Sequence, residues 1–330
     1  MPTSFRGHFL WHELLTSDPE AAKRFYAKVV GWQSVPWMDP SYTIWAIGNA
    51  PMAGLMALPA DVKAMGVPPH WGSYIGTDDV DATVRQAHTL GAQVLKEATD
   101  LPQVGKFAVI KDPQGAAFIA FRPASDGVPS YPAPLGGFSW NELATTDWPA
   151  AFTFYSALFG WEKGQGMDMG PMGIYQILHL NGEMIGAMFN KPAEIPVPNW
   201  LPYARVKDTA AAAAAVKNAG GQVINGPMDV PGGSIVQLLD PQGAVFAVHA
   251  VADEPPARKP TAVKRKTAKT AKAAMKPTKK PSKLGTKKSG GKRAGKKVAT
   301  RAAKKPSKKA VKPKAAKKPA RGRGRAKPRR

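Results

Sequence analysis

The sequence predicts an α+β fold: four βαβββ modules in two tandem domains, followed by a disordered basic tail. Three observations carry this. The stretch Phe9–Trp32, FLWHELLTSDPEAAKRFYAKVVGW, returns at Phe138–Trp161 as FSWNELATTDWPAAFTFYSALFGW, 140 − 11 = 129 residues later. Further pairs follow each copy: Pro69-x-Trp-x-x-Tyr and Pro198-x-Trp-x-x-Tyr, Gly91-Ala-Gln-Val and Gly220-Gly-Gln-Val, Met52-x-Gly-x-Met and Met184-x-Gly-x-Met, Asp112-Pro-Gln-Gly-Ala and Asp240-Pro-Gln-Gly-Ala. Composition then breaks: of 47 Lys+Arg and 23 Asp+Glu, 32 bases and 2 acids lie beyond residue 252, so the first part carries 15 − 21 = −6 and the tail 32 − 2 = +30. These shifts divide the chain into a first domain at 7–123, a Pro-rich linker at 124–135, a second domain at 136–251 and the tail at 252–330.

Each element of the first domain has its own local reason. Phe9–Leu15 alternates as a half-buried strand, placing Phe9, Trp11, Glu13 and Leu15 on one face and Leu10, His12 and Leu14 on the other. Thr16-Ser-Asp-Pro-Glu supplies an N-cap and a proline for a helix from Pro19, with Ala22, Phe25, Tyr26 and Val29 on its apolar stripe and Gly31 as its stop. Strands are expected at Gln33–Trp37, Tyr42–Ile47 and Met52–Leu58, between Asp-Pro-Ser and Gly-Asn turns. The second module repeats the order: strand Trp71–Ile75, helix Val80–Leu90, strand Gln93–Glu97, then Lys106–Lys111 and Ala117–Arg122 as a hairpin across Asp112-Pro-Gln-Gly.

Several function classes are excluded or disfavoured. With no cysteine there is no disulfide framework, thiolate zinc site or thiol nucleophile. The N-terminal residues lack the pattern of a secretory signal, and no stretch approaches the roughly 18 apolar residues of a membrane span. The expected location is cytoplasmic and nucleoid-associated. The Asp-Pro-Gln-Gly tetrapeptides are hairpin turns rather than phosphate loops, since no Gly-rich run with Lys-Ser/Thr follows.

Paired βαβββ modules, the Asp-x-x-x-Ala-x-x-Phe-Tyr-x-x-x-x-Gly-Trp helix signature and the Asp-Pro-x-Gly hairpin resemble the vicinal oxygen chelate superfamily of glyoxalases, bleomycin-resistance proteins and extradiol dioxygenases. The resemblance covers about residues 7–251. It implies two domains whose sheets curve around small-molecule clefts, commonly over a divalent metal held by His and Glu. If the chain is an enzyme, it implies lyase, isomerase or dioxygenase chemistry. Yet the positions where the resemblance implies metal ligands hold Trp11, Trp140, Gly72, Leu201, Ile119 and Ala247, none with a ligating side chain. The first reading is therefore a small-ligand cleft without a metal; the alternatives are a metal-dependent lyase, isomerase or dioxygenase with a divalent metal on displaced ligands, Glu13 and His70, and a nucleoid-associated protein with residues 7–251 as its scaffold; at the matching position His70 gives way to Asn199, and His249 is matched by Phe121.

What recurs in both domains is Trp-x-Glu. Trp11 with Glu13, and Trp140 with Glu142, are two apart on a strand and share a face, setting an indole wall beside a carboxylate. Tyr74 and Tyr203 open the next strand on the matching face and complete the candidate ligand-binding set. The chemistry suits a small planar organic ligand bearing an amine or a cation. Tyr26, Tyr155, Trp32 and Trp161 follow helix spacing or sit at the helix exit, where packing is the expected role.

The tail is almost entirely Lys, Arg, Ala, Pro, Thr, Ser and Gly, and resembles the C-terminal tails of linker histones and bacterial histone-like proteins. Dense like charge and low hydrophobicity cannot sustain a core. DNA or RNA is the expected partner of residues 258–330, through clusters such as Lys264, Arg265 and Lys266, Lys304 and Lys305, Lys317 and Lys318, and Arg321, Arg323 and Arg325. It offers no aromatic interleaving for base stacking and no apolar helix face for a membrane. The sequence assigns no oligomeric state.

Overall fold

The computed structural model describes residues 4–125 and 133–252. The basic clusters from Lys264 to Arg325, and most of the 124–135 linker, lie outside the described residues. The first domain runs β1 (Phe9–Thr16), α1 (Pro19–Val29), β2 (Gln33–Pro36), β3 (Tyr42–Ile47), β4 (Ala50–Ala57), α2 (Ala60–Ala64), β5 (His70–Gly76), α3 (Val80–Thr89), β6 (Gln93–Leu101), β7 (Gly105–Lys111) and β8 (Ala117–Pro123). The second runs β9 (Phe138–Thr145), α4 (Trp148–Phe159), β10 (Glu162–Asp168), β11 (Ile174–Leu180), β12 (Glu183–Asn190), β13 (Asn199–Arg205), α5 (Thr209–Asn218), β14 (Gln222–Val230), β15 (Gly233–Leu239) and β16 (Val245–Val251). The short helix α2 and a 3-10 turn at Gly170–Met172, between β10 and β11, have no counterpart in the sequence reading.

The four module helices start for one reason. Asp18, Asp79, Asp147 and Asp208 each accept a backbone N–H of the first turn, satisfying donors that the helix cannot. Gly160 ends α4 in the left-handed conformation at φ 75°, which a residue without Cβ adopts at least cost. On α1 the buried positions are Ala22, Phe25, Tyr26 and Val29, the stripe that the spacing predicts.

Each domain folds into one mixed eight-stranded sheet, in the order β2-β3-β4-β1-β5-β8-β7-β6 and β10-β11-β12-β9-β13-β16-β15-β14. The two modules of a domain join where their first strands pair antiparallel, β1 with β5 and β9 with β13. The first strands therefore lie at the middle of each sheet. One face of each sheet carries the helices; the other carries the Trp-x-Glu pairs.

The helix-bearing faces are shared between domains. One apolar core combines Ile75, Val80, Ile110 and Phe118 of the first domain with Leu143, Phe154, Tyr155, Leu158 and Trp161 of the second. The other combines Leu14, Phe25, Tyr26, Trp32 and Trp71 with Val206, Val216, Val236 and Phe246. The Asp-Pro-Gln-Gly turns fasten them. Asp112 Oδ1 accepts the N–H groups of Gln114, Gly115 and Ala116, and its Oδ2 accepts the Tyr155 hydroxyl at 3.0 Å. Asp240 Oδ2 likewise accepts the Tyr26 hydroxyl at 3.2 Å. Trp71 and Trp200 donate to those two phenols at 3.0 Å. Trp32 and Trp161 donate at 2.9 Å to Gly136 O and Gly7 O, again across the domain boundary. These tyrosines and tryptophans pack and tie, the expected role.

Two details depart from the sequence reading. A bulge between Phe9 and Trp11 in the β1–β5 register turns Phe9 to the helix-bearing face, where it packs on Trp161 and Trp200 rather than beside Trp11. The Met-x-Gly-x-Met repeats are not equivalent in register: Glu13 lies opposite Gly54, whereas Glu142 lies opposite Ala187 and not Gly186. A single-residue slip puts the two glycines on opposite faces.

His12 and Asn141 occupy matching positions and meet each other, His12 Nε2 lying 2.7 Å from Asn141 Oδ1 with the imidazole stacked on Phe138. Burial pushes the His12 pKa down to about 4. The unfolded chain takes up a proton below the ordinary value near 6.5, while the folded protein resists it until about 4. Stability from this residue is therefore complete above that ordinary value and drains as pH falls, by on the order of 3 kcal/mol in all. The variant His12→Asn is expected to lose melting temperature less steeply than the parent between about pH 6.5 and 4; parallel curves would show that the imidazole is not held neutral.

Candidate ligand-binding site

β1 and β5 bring Trp11, Glu13 and Tyr74 together as the sequence expects: Tyr74 lies opposite Trp11, and Gly72 opposite Glu13. The Tyr74 hydroxyl donates to Glu13 Oε2 at 3.0 Å. A second phenol, Tyr42 at the start of β3, stands beside Glu13 and accepts the Trp11 indole N–H at 3.1 Å. Gly54 makes room for it, since a Cβ there would collide with the Tyr42 hydroxyl. The result is one row, Trp11–Tyr42–Glu13–Tyr74.

The second domain builds the same row from Trp140, Tyr175, Glu142 and Tyr203. Trp140 Nε1 donates to Tyr175 at 2.8 Å, Tyr175 donates to Glu142 Oε2 at 2.8 Å, and Tyr203 donates to Glu142 Oε1 at 3.1 Å. Gln237 of β15 adds an amide that donates to the Tyr203 oxygen at 2.7 Å.

Sequence reasoning missed Tyr42, Tyr175 and Gln237. The two tyrosines stand 175 − 42 = 133 residues apart, because the segment between the helix and β11 is four residues longer than its first-domain counterpart. A search at the fixed offset of 129 passes them by. Tyr alone at the head of an amphipathic strand was the available signal.

The electrostatics are those of a buried acid ringed by phenols. Burial raises the pKa of Glu13 and of Glu142, and the phenol hydrogen bonds pull each partly back. Burial also raises Tyr42, Tyr74, Tyr175 and Tyr203, with the neighbouring carboxylate adding to it, so all four stay protonated donors. Their O–H groups point at the carboxylates, leaving phenol lone pairs, polarised by that bond, for other donors. Each row is thus an array of acceptors beside an indole face.

The fallback metal pair fits poorly. His70 lies opposite Leu15, diagonal to Glu13, and its Nδ1 is 2.8 Å from Pro68 O. Glu13 accepts the Tyr74 hydroxyl, and no group of three or more His, Asp or Glu side chains stands together among the described residues. A catalytic site of this kind needs three protein donors, which neither row supplies. His249 lies instead 3.1 Å from Ser139 Oγ.

Removing one phenol tests the row as a structural unit. Tyr175→Phe strands the Trp140 N–H and takes a donor from Glu142. The expected cost is about 1–3 kcal/mol, read as a fall in melting temperature of about 2–4 °C per kcal/mol. An unchanged melting temperature would mean that water replaces the phenol at no cost.

Comparison with known proteins follows the same outline. The family model described as "Glyoxalase/Bleomycin resistance protein/Dioxygenase superfamily" matches residues 7–119 and again 137–248. The chain is 34% identical over 244 residues to "Putative glyoxylase CFP32" of Mycobacterium bovis, covering 72% of this chain and 92% of that one. It is 30% identical over 254 residues to the anthracycline biosynthesis protein DnrV of Streptomyces peucetius, covering 72% and 91%. Among solved structures, the Mn(II)-bound glyoxalase from Novosphingobium aromaticivorans matches with a TM-score of 0.54 at 18% identity, over 75% of this chain and 83% of that one. At that identity the likeness concerns the fold.

Proposed function

Because this chain belongs to the glyoxalase/bleomycin resistance protein/dioxygenase superfamily, we propose that its domains bind a small planar organic molecule bearing hydroxyl or amine groups, without a His/Glu metal. The observation that carries this reading is the duplicated Trp–Tyr–Glu–Tyr row, in which an indole face stands beside phenol oxygens that already donate to a buried carboxylate. Such a row accepts hydrogen bonds and stacks on rings. The named association of DnrV with anthracycline biosynthesis supports a polycyclic hydroxyaromatic as the ligand class. Domains of about 115 residues in a tandem pair give each row its own sheet to sit on.

Calorimetric titration of the full chain with 2,6-dihydroxyanthraquinone tests it. Saturable binding is expected, weakened about tenfold or more by Trp11→Ala or Glu13→Ala and absent with unsubstituted anthraquinone. Equal heats from both compounds would sink the reading, because the phenol oxygens would then contribute nothing.

The tail extends the proposal. A segment of net charge 32 − 2 = +30 beyond residue 252 supports attachment to DNA or RNA, and hence a place at the nucleoid. Among the described residues no helix is long and apolar enough to cross a membrane. Retention of the chain on DNA is expected to fall steeply and linearly in log–log form as salt rises, and to vanish when residues 253–330 are removed. Salt-independent retention, or retention by the shortened chain, would overturn this part.

A further inference from the structure

The two rows are copies, yet they differ at the oxygen of the second phenol, Tyr74 in one and Tyr203 in the other. In the second domain the Tyr203 oxygen receives the Gln237 amide at 2.7 Å while donating to Glu142. In the first domain the position matching Gln237 is Val109, which lies opposite Ile119 as Gln237 lies opposite Ala247. Valine has no N–H to offer. Among the described residues nothing donates to the Tyr74 oxygen, which gives its own proton to Glu13. Tyr203 is 1% exposed, whereas Tyr74 remains partly open to solvent.

The difference is not one of side-chain volume beside the carboxylates. Gly72 and Ile119 in the first domain answer Leu201 and Ala247 in the second, a large and a small side chain exchanged across the same pair of strands. A Cβ on Gly72 would lie 2.9 Å from Ile119 Cδ1, so the isoleucine fills the space that Leu201 fills in the other copy. What changes is the chemistry around the free oxygen. Beyond Tyr74 the first domain presents Phe121, edge-on at 5.5 Å, and Phe107 opposite it; the second presents His249 and Ile235 at the matching places. The second copy is closed by its own amide and by the buried Leu201, Tyr203 and Ala247 cluster.

We infer that the chain holds one ligand, in the first domain, and that the ligand places a hydroxyl or amine on the Tyr74 oxygen where the second domain places the Gln237 amide. The second row occupies itself. This rests on the proposed binding of hydroxyaromatics and narrows it: Tyr74 accepts, Trp11 and Phe121 flank the ring, and Val109 is the position that decides whether the acceptor is available. Val109 acts by leaving a donor out.

The experiment is titration of the full-length chain with 2,6-dihydroxyanthraquinone, whose neutral form has no charge for the basic tail to attract. One equivalent per chain is expected. Val109→Gln supplies in the first domain the amide that closes the second and is expected to weaken binding about tenfold or more, the worth of one good hydrogen bond. Tyr74→Phe, which keeps the ring, is expected to do the same and stands as the second arm if the Val109 variant does not fold. Two equivalents per chain, or full affinity in Tyr74→Phe, would overturn the inference while leaving hydroxyaromatic binding in place. No binding by the parent chain would overturn both.

Discussion

The fold depends on a hydrogen bond made twice, from the phenol on the first helix of one domain to the aspartate of the other domain's Asp-Pro-Gln-Gly turn. Tyr26 reaches Asp240 and Tyr155 reaches Asp112. Each aspartate spends one oxygen on its own turn and the other on its partner, so shaping the hairpin and joining the domains are one act. Trp71 and Trp200 complete the relay from the strands beneath. A buried carboxylate is expensive unless its lone pairs are met, and here three backbone donors and a phenol meet them in Asp112. Those contacts fix the helix-bearing faces together, and the opposite faces are left to the Trp–Tyr–Glu–Tyr rows.

Much of this was legible in the residues, and what was not has physical causes. The repeat, the aspartate caps and the stripe of α1 are local patterns, and local patterns survive into the fold. Trp11, Glu13 and Tyr74 were readable because β1 and β5 pair in a register that strand parity anticipates. Phe9 was not, since the bulge is a property of two strands together and leaves no mark in either alone. Gly54 and Gly186 look alike in sequence and face opposite ways. Tyr42, Tyr175 and Gln237 lay outside the fixed offset or outside the repeat altogether, and only the sheet brings them to the carboxylates.

Duplication explains why the two rows can be compared residue by residue. Gly72 with Ile119 against Leu201 with Ala247 shows a volume held constant while its owner changes strand, as close packing demands. Val109 against Gln237 shows the other kind of change, in which volume is roughly kept and a donor is gained or lost. The first kind preserves the fold; the second alters what a cleft can hold.

The crossed cores also bear on how the chain is made. Because Tyr26 and Trp32 are covered by Val216 and Phe246, and Phe118 by Phe154 and Phe159, the first 123 residues emerge from the ribosome with a helix-bearing face that has nothing yet to lie against. Its apolar stripe is covered only when the second domain has been synthesised. Synthesis therefore passes through a stage in which an aggregation-prone surface is on display, one that ends when the two halves enclose each other's aromatics.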